Sequence, residues 1–64
     1  MEIKYSEDHV ENLKLNSISV QELLENLGIE PLKVIVKRDG SVILEDEIIS
    51  NNDKIEIIRV IHGG

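Results

Sequence analysis

Residues 19–28, which read SVQELLENLG, predict one short amphipathic helix around which the other elements are arranged. Four apolar side chains recur along one helix face: Val20, Leu23, Leu24 and Leu27. Ser19 and Glu22 match a capping box, in which the Ser19 hydroxyl accepts from the Glu22 amide and the Glu22 carboxylate accepts from the Ser19 amide. Gly28 suits the left-handed residue after a last helical turn, and Pro31 prevents the helix from resuming.

Two strands are predicted before this helix. Apolar and charged residues alternate over residues 1–5, which is the period-two pattern of a half-buried strand. Residues 6–9 are polar and predict a turn. Residues 10–15 resume the alternation, so we expect a second strand that forms a hairpin with the first.

A second hairpin is predicted after the helix. Residues 33–38 alternate as a strand, and residues 41–44 return as a shorter one. Asp39 and Gly40 lie between them and form a strong hairpin-turn signal, because Gly tolerates positive φ.

The rest of the chain predicts a polar connection and one more strand. Residues 45–54 are mostly polar, with Ile48 and Ile49 expected to fill the core from a loop and residues 50–53 expected to turn. Residues 55–61 are predominantly aliphatic and predict the last strand.

The element order β-β-α-β-β-β predicts an α+β fold of the β-grasp type. One helix needs a sheet to cover it, so we expect a mixed sheet of four to five strands with the main helix packed on one face. The first and last strands should be adjacent in the middle, with the strand that follows the helix beside them in a right-handed crossover. The side chains expected to point inward are Ile3, Tyr5, Leu13, Leu15, Leu23, Leu27, Val34, Val36, Ile55 and Ile57.

Composition excludes several classes of function. The 64 residues carry 13 acidic and seven basic side chains, a net charge of −6 that argues against nucleic acid as a ligand. The chain has no cysteine, which excludes disulfides, thiolate metal sites and a cysteine nucleophile. Apolar runs are too short to span a membrane, and the N-terminus lacks a signal-peptide pattern. We expect a cytoplasmic protein that is monomeric when free.

Catalytic and metal-binding groups are not indicated. His9 and His62 are too few to form a metal site, and nothing fixes the geometry of the Glu7, Asp8 and His9 cluster. The acidic run at residues 45–47 is typical of a solvated loop. No nucleophilic triad or glycine-rich phosphate loop is recognisable.

The C-terminus carries the strongest functional signal. Gly63 and Gly64 follow the last predicted strand almost directly, so we expect a β-grasp domain over residues 1–61 and a flexible tail over residues 62–64. Side-chain-free residues can enter a narrow channel in another protein, and they leave the terminal carboxylate open to attack.

The sheet face opposite the helix is a candidate docking surface. If Val36 and Ile57 point inward, alternation turns their neighbours outward. On this face, the residues expected to contact a partner are Ile35, Lys37, Ile58 and Val60. Arg59 should project from the last strand near the tail, where it could steer acidic groups of the partner, and His62 should contact the partner from the tail. Exposed aliphatic side chains beside lysines are typical of a protein interface, although such aliphatics are also common on ordinary surfaces.

Taken together, the helix at residues 19–28, the strand and turn at residues 34–40 and the segment at residues 53–64 resemble the ubiquitin-like sulfur carriers of the ThiS and MoaD group. The archaeal small modifier proteins and the eukaryotic ubiquitin-related modifier are similar too. The resemblance spans the whole chain and is most specific at the aliphatic strand followed by Gly63 and Gly64.

The resemblance implies a protein co-substrate rather than an enzyme. A partner of the ThiF or MoeB type would adenylate the Gly64 carboxylate with ATP and magnesium, so the chain itself would bind no cofactor. A sulfur donor would then convert the adenylate to a thiocarboxylate, which an acceptor synthase would use in thiamin biosynthesis, molybdopterin biosynthesis or tRNA thiolation.

Two other functions remain open. Activated Gly64 would serve a ubiquitin-like modifier equally well, since a substrate lysine can capture it. A non-covalent β-grasp interaction module would have no use for the glycines. The sequence does not separate the sulfur carrier from the covalent modifier, because both need the same tail.

Overall fold

The computed structural model describes residues 1–6 and 8–60. One main helix, α1 (Val20–Leu27), and a 3₁₀ turn (Pro31–Lys33) accompany seven strands. The strands are β1 (Glu2–Ser6), β2 (His9–Asn12), β3 (Ile18–Ser19), β4 (Val34–Arg38), β5 (Ser41–Ile43), β6 (Ile48–Ile49) and β7 (Lys54–Arg59). The predicted tail at residues 62–64, like Glu7 and Ile61, lies outside the described residues.

Five strands form one mixed sheet in the order β2-β1-β7-β4-β5. β1 and β7 are parallel neighbours in its centre, with Ile3 opposite Ile55. β4 runs antiparallel to β7, with Val36 opposite Ile57. This arrangement confirms the predicted β-grasp architecture, including the central placement of the first and last strands.

The helix boundaries follow the predicted caps. The Ser19 hydroxyl accepts from the Glu22 amide at 3.1 Å, and Gly28 adopts the left-handed conformation at φ 71°. The second half of the capping box differs, because the Glu22 carboxylate accepts from the Ser19 hydroxyl at 3.3 Å rather than from the Ser19 amide. Ser19 also belongs to β3, where it lies opposite Ile48.

The β4–β5 hairpin forms as its turn residues predict. Asp39 and Gly40 both have positive φ, 53° and 81°, which is the combination of a type I′ turn. Arg38 and Ser41 form the closing pair of this two-residue loop. The turn sets the register that places Lys37 opposite Val42.

The core lies between α1 and one face of the sheet. Its buried members are Met1, Ile3, Val20, Leu23, Leu24, Val36, Ile49, Ile55 and Ile57. Five of the ten side chains predicted to face inward are half-buried at its margin, namely Tyr5, Leu13, Leu15, Leu27 and Val34. All ten predicted residues therefore belong to the core or pack against it.

Two predictions about the connections were wrong. The second strand ends at Asn12 rather than at residue 15, because the last backbone pair with the first strand joins Leu13 to Met1 at 2.8 Å. Ile48 and Ile49 do not form a loop but the short strand β6, paired with β3. Strand alternation sends Ile49 into the core at 0% exposure and turns Ile48 outward at 58%.

Several other strand boundaries differ by one or two residues from their predicted positions: β2 begins at His9, β5 ends at Ile43 and β7 begins at Lys54. β1 extends to Ser6, which narrows the predicted turn before β2. Lys33 ends the 3₁₀ turn rather than opening β4. β7 ends at Arg59, and the continuation predicted to residue 61 reaches past the described part of the chain. None of the helices over residues 1–6 and 8–60 has the length and apolar character needed to cross a membrane.

Candidate functional site

The last strand of the chain is held in the sheet on both sides. β7 lies between β1 and β4, so both of its edges are hydrogen-bonded. Just beyond β7, the Val60 backbone amide donates to the Lys33 carbonyl at 2.9 Å, which continues the hydrogen bonding between β4 and β7 by one residue. The chain is therefore anchored to the sheet up to residue 60. The predicted reactive residues, Gly63 and Gly64, and the predicted docking residue His62 lie beyond the part that the structure describes.

The sheet face away from α1, here called the outer face, carries a pair of isoleucines. Ile35 on β4 lies directly opposite Ile58 on β7. Ile55 and Ile57 are buried, so alternation places Ile58 on the outer face, where it is half-buried. Ile35 is 38% exposed. The structure thus brings together the two apolar residues that the sequence predicted for a docking surface.

A row of alternating charge crosses the outer face beside this isoleucine pair. Glu56 on β7 lies opposite Lys4 on β1 and opposite Lys37 on β4. Val10 and Val42 complete the row on the two edge strands, opposite Lys4 and Lys37 respectively. The central carboxylate is flanked by two ammonium groups, so the face combines an apolar pair with a net basic stripe in an otherwise acidic protein.

Arg59 does not share this face. It lies two residues after the buried Ile57, so its side chain points to the same side of the sheet as Ile57, and it is exposed. There it lines an open groove with Tyr5, Lys33 and Val60. The predicted docking residues therefore divide between the outer face and this groove at the C-terminal end of β7.

Two cationic side chains, Lys33 and Arg59, line the groove at the end of β7. Lys33 pairs with Glu30 at 3.1 Å, both side chains being largely exposed. Arg59 forms no ion pair with any of the described residues. A guanidinium that pairs with none of these described residues is available to acidic groups of an approaching molecule.

Sequence reasoning missed Arg38, which holds the segment that leads into β7. Its guanidinium donates to the Ile48 carbonyl at 2.9 Å and pairs with Glu47 at 3.1 Å and Asp53 at 3.4 Å. The Ser50 amide donates to the Asp53 carboxylate at 2.8 Å, and this hydrogen bond, assisted by Arg38, lowers the Asp53 pKa below its usual 3.8. Opposite charges at residues 38, 47 and 53 were visible in the sequence, but their proximity depends on the fold.

A polar cluster on the first hairpin has no metal-binding geometry. His9 Nε2 lies 3.2 Å from a Glu11 carboxylate oxygen, and the Tyr5 hydroxyl donates to the other oxygen at 3.4 Å. Burial, then the charge of Glu11 and its hydrogen bond, raises the pKa of Tyr5. Over residues 1–6 and 8–60, no three His, Cys, Asp or Glu side chains lie close enough to hold a metal ion.

Comparison with known proteins agrees with this fold. The model of the ThiS family matches residues 3–64, which includes both C-terminal glycines. An uncharacterized protein of Archaeoglobus fulgidus is 33% identical over 52 residues, covering 81% of this chain and 76% of that protein. The family match runs through the central strands, the helix and the tail together. The chain is therefore a member of the ThiS family of ubiquitin-like sulfur carriers.

Proposed function

We propose that this protein carries sulfur as a thiocarboxylate on Gly64. The observation that supports this most directly is the family match, which extends through Gly63 and Gly64 and implies a sulfur-carrier role in general. The chain has no cysteine, so a thiol side chain is not available to hold the sulfur. The C-terminal carboxylate is the group that remains for this chemistry.

The proposed reaction has two steps on the Gly64 carboxylate. A carboxylate resists nucleophiles because of its charge, so it first attacks the α-phosphorus of ATP, forming an acyl-adenylate and releasing pyrophosphate. Hydrosulfide then attacks the acyl carbon, a C–S bond forms, and the C–O bond to AMP breaks. AMP leaves with the bonding electrons, and Gly64 ends as a thiocarboxylate.

The catalytic groups for both steps belong to a partner of the ThiF or MoeB type. That enzyme binds ATP and magnesium, while this chain supplies the substrate end. Val60 is the last described residue bonded to the sheet, and four residues, 61–64, follow it. Four extended residues span at most about 14 Å, which is enough to enter an active site while the domain stays outside.

The partner docks on two surfaces, the outer face and the groove at the end of β7. Ile35 and Ile58 supply an apolar contact on the outer face, and Lys37 lies beside them in the charged row. Arg59 and Val60 contact the partner from the groove at the end of β7, and His62 does so from the tail. Apolar anchors surrounded by charged groups are typical of protein interfaces.

Intact-mass spectrometry tests the proposal. The chain is incubated with its cognate adenylating enzyme, ATP, magnesium and sulfide. We expect the mass to rise by the difference between sulfur and oxygen, and we expect deletion of Gly64 to abolish the rise without unfolding the domain. An unchanged mass, with acyl-adenylate formed and sulfide present, would contradict the sulfur-carrier function.

The second candidate is a ubiquitin-like protein modifier. It is favoured by the same observation, since conjugation to a lysine also needs a C-terminal Gly-Gly on a β-grasp domain. Tryptic peptides from cells that carry residues 60–64 on a substrate lysine, since Arg59 is the last tryptic site, and that are absent when Gly64 is deleted, would support it. The two functions are compatible, because both proceed from the same adenylate.

A further inference from the structure

β5 is an edge strand with a free backbone side. It pairs with β4, and no other described strand lies beside it. Arg38 and Ser41 close the type I′ turn, so they form the hydrogen-bonded pair, and the next pair, Lys37 with Val42, is not hydrogen-bonded. The Val42 N–H and C=O consequently point away from β4, toward the open edge.

An apolar groove runs alongside this edge. Its floor comes from Val20 and Leu24 of the helix, and its walls from Leu32 before β4 and from Val42 and Leu44. The three wall residues are 85%, 58% and 68% exposed, although all three are aliphatic. Exposed aliphatic side chains around a concave site, next to an unpaired strand edge, are the features that β-strand addition uses.

The rim of the groove is acidic. Glu45 and Asp46 line it, and no basic side chain of the described residues does so. The Glu45 carbonyl accepts from the Gln21 amide at 2.9 Å, which fixes the backbone beside the helix start. Neither carboxylate takes part in an ion pair within the described part of the chain, whereas the neighbouring Glu47 pairs with Arg38.

We propose that the groove beside β5 binds an extended segment of a partner protein in which aliphatic residues alternate with lysine or arginine. The segment adds an antiparallel strand to β5, exchanging hydrogen bonds with Val42. Its aliphatic side chains fill the groove, and its basic side chains face Glu45 and Asp46. This interaction does not use the C-terminal tail or Ile58, although Ile35 of the outer-face pair also lines the groove. The proposal therefore does not depend on the thiocarboxylate chemistry.

A second copy of this chain fits the groove less well. The segment that a second copy would add, residues 39–46, contains no lysine or arginine to face Glu45 and Asp46. The charge of the rim therefore favours a basic partner over self-association.

Nuclear magnetic resonance with a synthetic peptide tests the proposal. The probe is a peptide of about seven residues with capped termini that alternates Val with Lys, matching the short length of an edge strand. We expect shift changes centred on Ser41–Ile43 and at least about tenfold slower hydrogen exchange of the Val42 amide. A peptide of the same composition, with its lysines and valines in separate blocks, should bind much more weakly.

Variants locate the site. Val42→Ser should weaken binding about tenfold, because it removes an apolar contact. Val10→Ser, on the opposite edge strand and similarly exposed, is the matched control and should leave binding unchanged. Glu45→Gln with Asp46→Asn should weaken binding to a similar extent, whereas Asp8→Asn with Glu25→Gln should not.

Three results would overturn the proposal. If the control peptide with its lysines and valines in separate blocks bound equally well, the binding would be unspecific charge attraction. Shift changes centred on β2 would place the site at the other edge. A dimer by analytical ultracentrifugation that Val42→Ser dissociates would show that a second copy occupies the groove.

Discussion

The guanidinium of Arg38 and the carboxylate of Asp53 lie 3.4 Å apart and join the end of β4 to the turn that precedes β7. The same guanidinium contacts Glu47 and the Ile48 carbonyl, so one side chain holds three points of the segment between β5 and β7. Because β7 carries the chain toward the tail, this contact links the hairpin to the proposed functional end.

Arg38→Ala should lower the free energy of unfolding by about 1 kcal/mol, since it removes one hydrogen bond to a carbonyl and two partly exposed ion pairs. Urea unfolding followed by circular dichroism measures the change. Arg59→Ala is the matched control, because Arg59 is exposed and forms no ion pair with the described residues. Equal effects of the two substitutions would show that the Arg38 contacts do not stabilise the loop.

Asp53 should make stability depend on acid pH. Its pKa in the folded protein is below 3.8, so its contribution is present above that pH and is lost as the pH falls through the folded pKa. Asp53→Asn removes the contribution, so the difference in unfolding free energy between wild type and variant should shrink below pH 3.8. A difference that stays constant from neutral to acid pH would contradict this assignment.

Tyr5 is the single aromatic residue of the sequence, so its ionisation can be followed by ultraviolet absorbance without interference. Burial and the neighbouring Glu11 raise its pKa above 10.0 in the folded state. The absorbance midpoint should be higher in the native protein than in urea, and stability should decline as the pH rises through this range. Glu11→Gln should move the native midpoint toward the unfolded value, while Glu25→Gln should not.

Ile48 and Ile49 provide a matched pair of neighbours. Ile49 is fully buried, so Ile49→Val should cost about 1 kcal/mol of unfolding free energy by leaving a cavity. Ile48 is 58% exposed, so even Ile48→Ala should change stability by no more than about 0.5 kcal/mol. Denaturant midpoints measure both. A larger loss at Ile48 would show that the β3–β6 pairing has the opposite side-chain orientation.

Ile35 tests the docking surface. Ile35→Ser should slow thiocarboxylate formation by the adenylating enzyme about tenfold at limiting carrier concentration, because it removes part of the apolar contact. Val10→Ser, an exposed substitution on the same face but away from the isoleucine pair, is the control. Rates should converge at saturating carrier if Ile35 acts in binding, and persistent slowing would point to a role beyond docking.

The helix, the second hairpin and most of the core followed directly from local sequence. The Ser19 cap, the left-handed Gly28 and the positive φ of Asp39 and Gly40 are short-range preferences of the backbone. They depend on a few neighbouring residues, so periodicity and turn chemistry predict them. The β3–β6 pair was not predicted, because each strand has only two residues and shows no periodicity.

Sequence by itself determined the α+β class, the position of the helix and the aliphatic segment that precedes Gly63 and Gly64, since each depends on residues close together in the chain. Only the tertiary structure decided that Arg38 meets Asp53, that Arg59 lines a groove with Tyr5 and Lys33, and that Glu45 and Asp46 border an apolar groove. Those relationships depend on strand register and on where each strand ends, and a shift of one residue would reverse them.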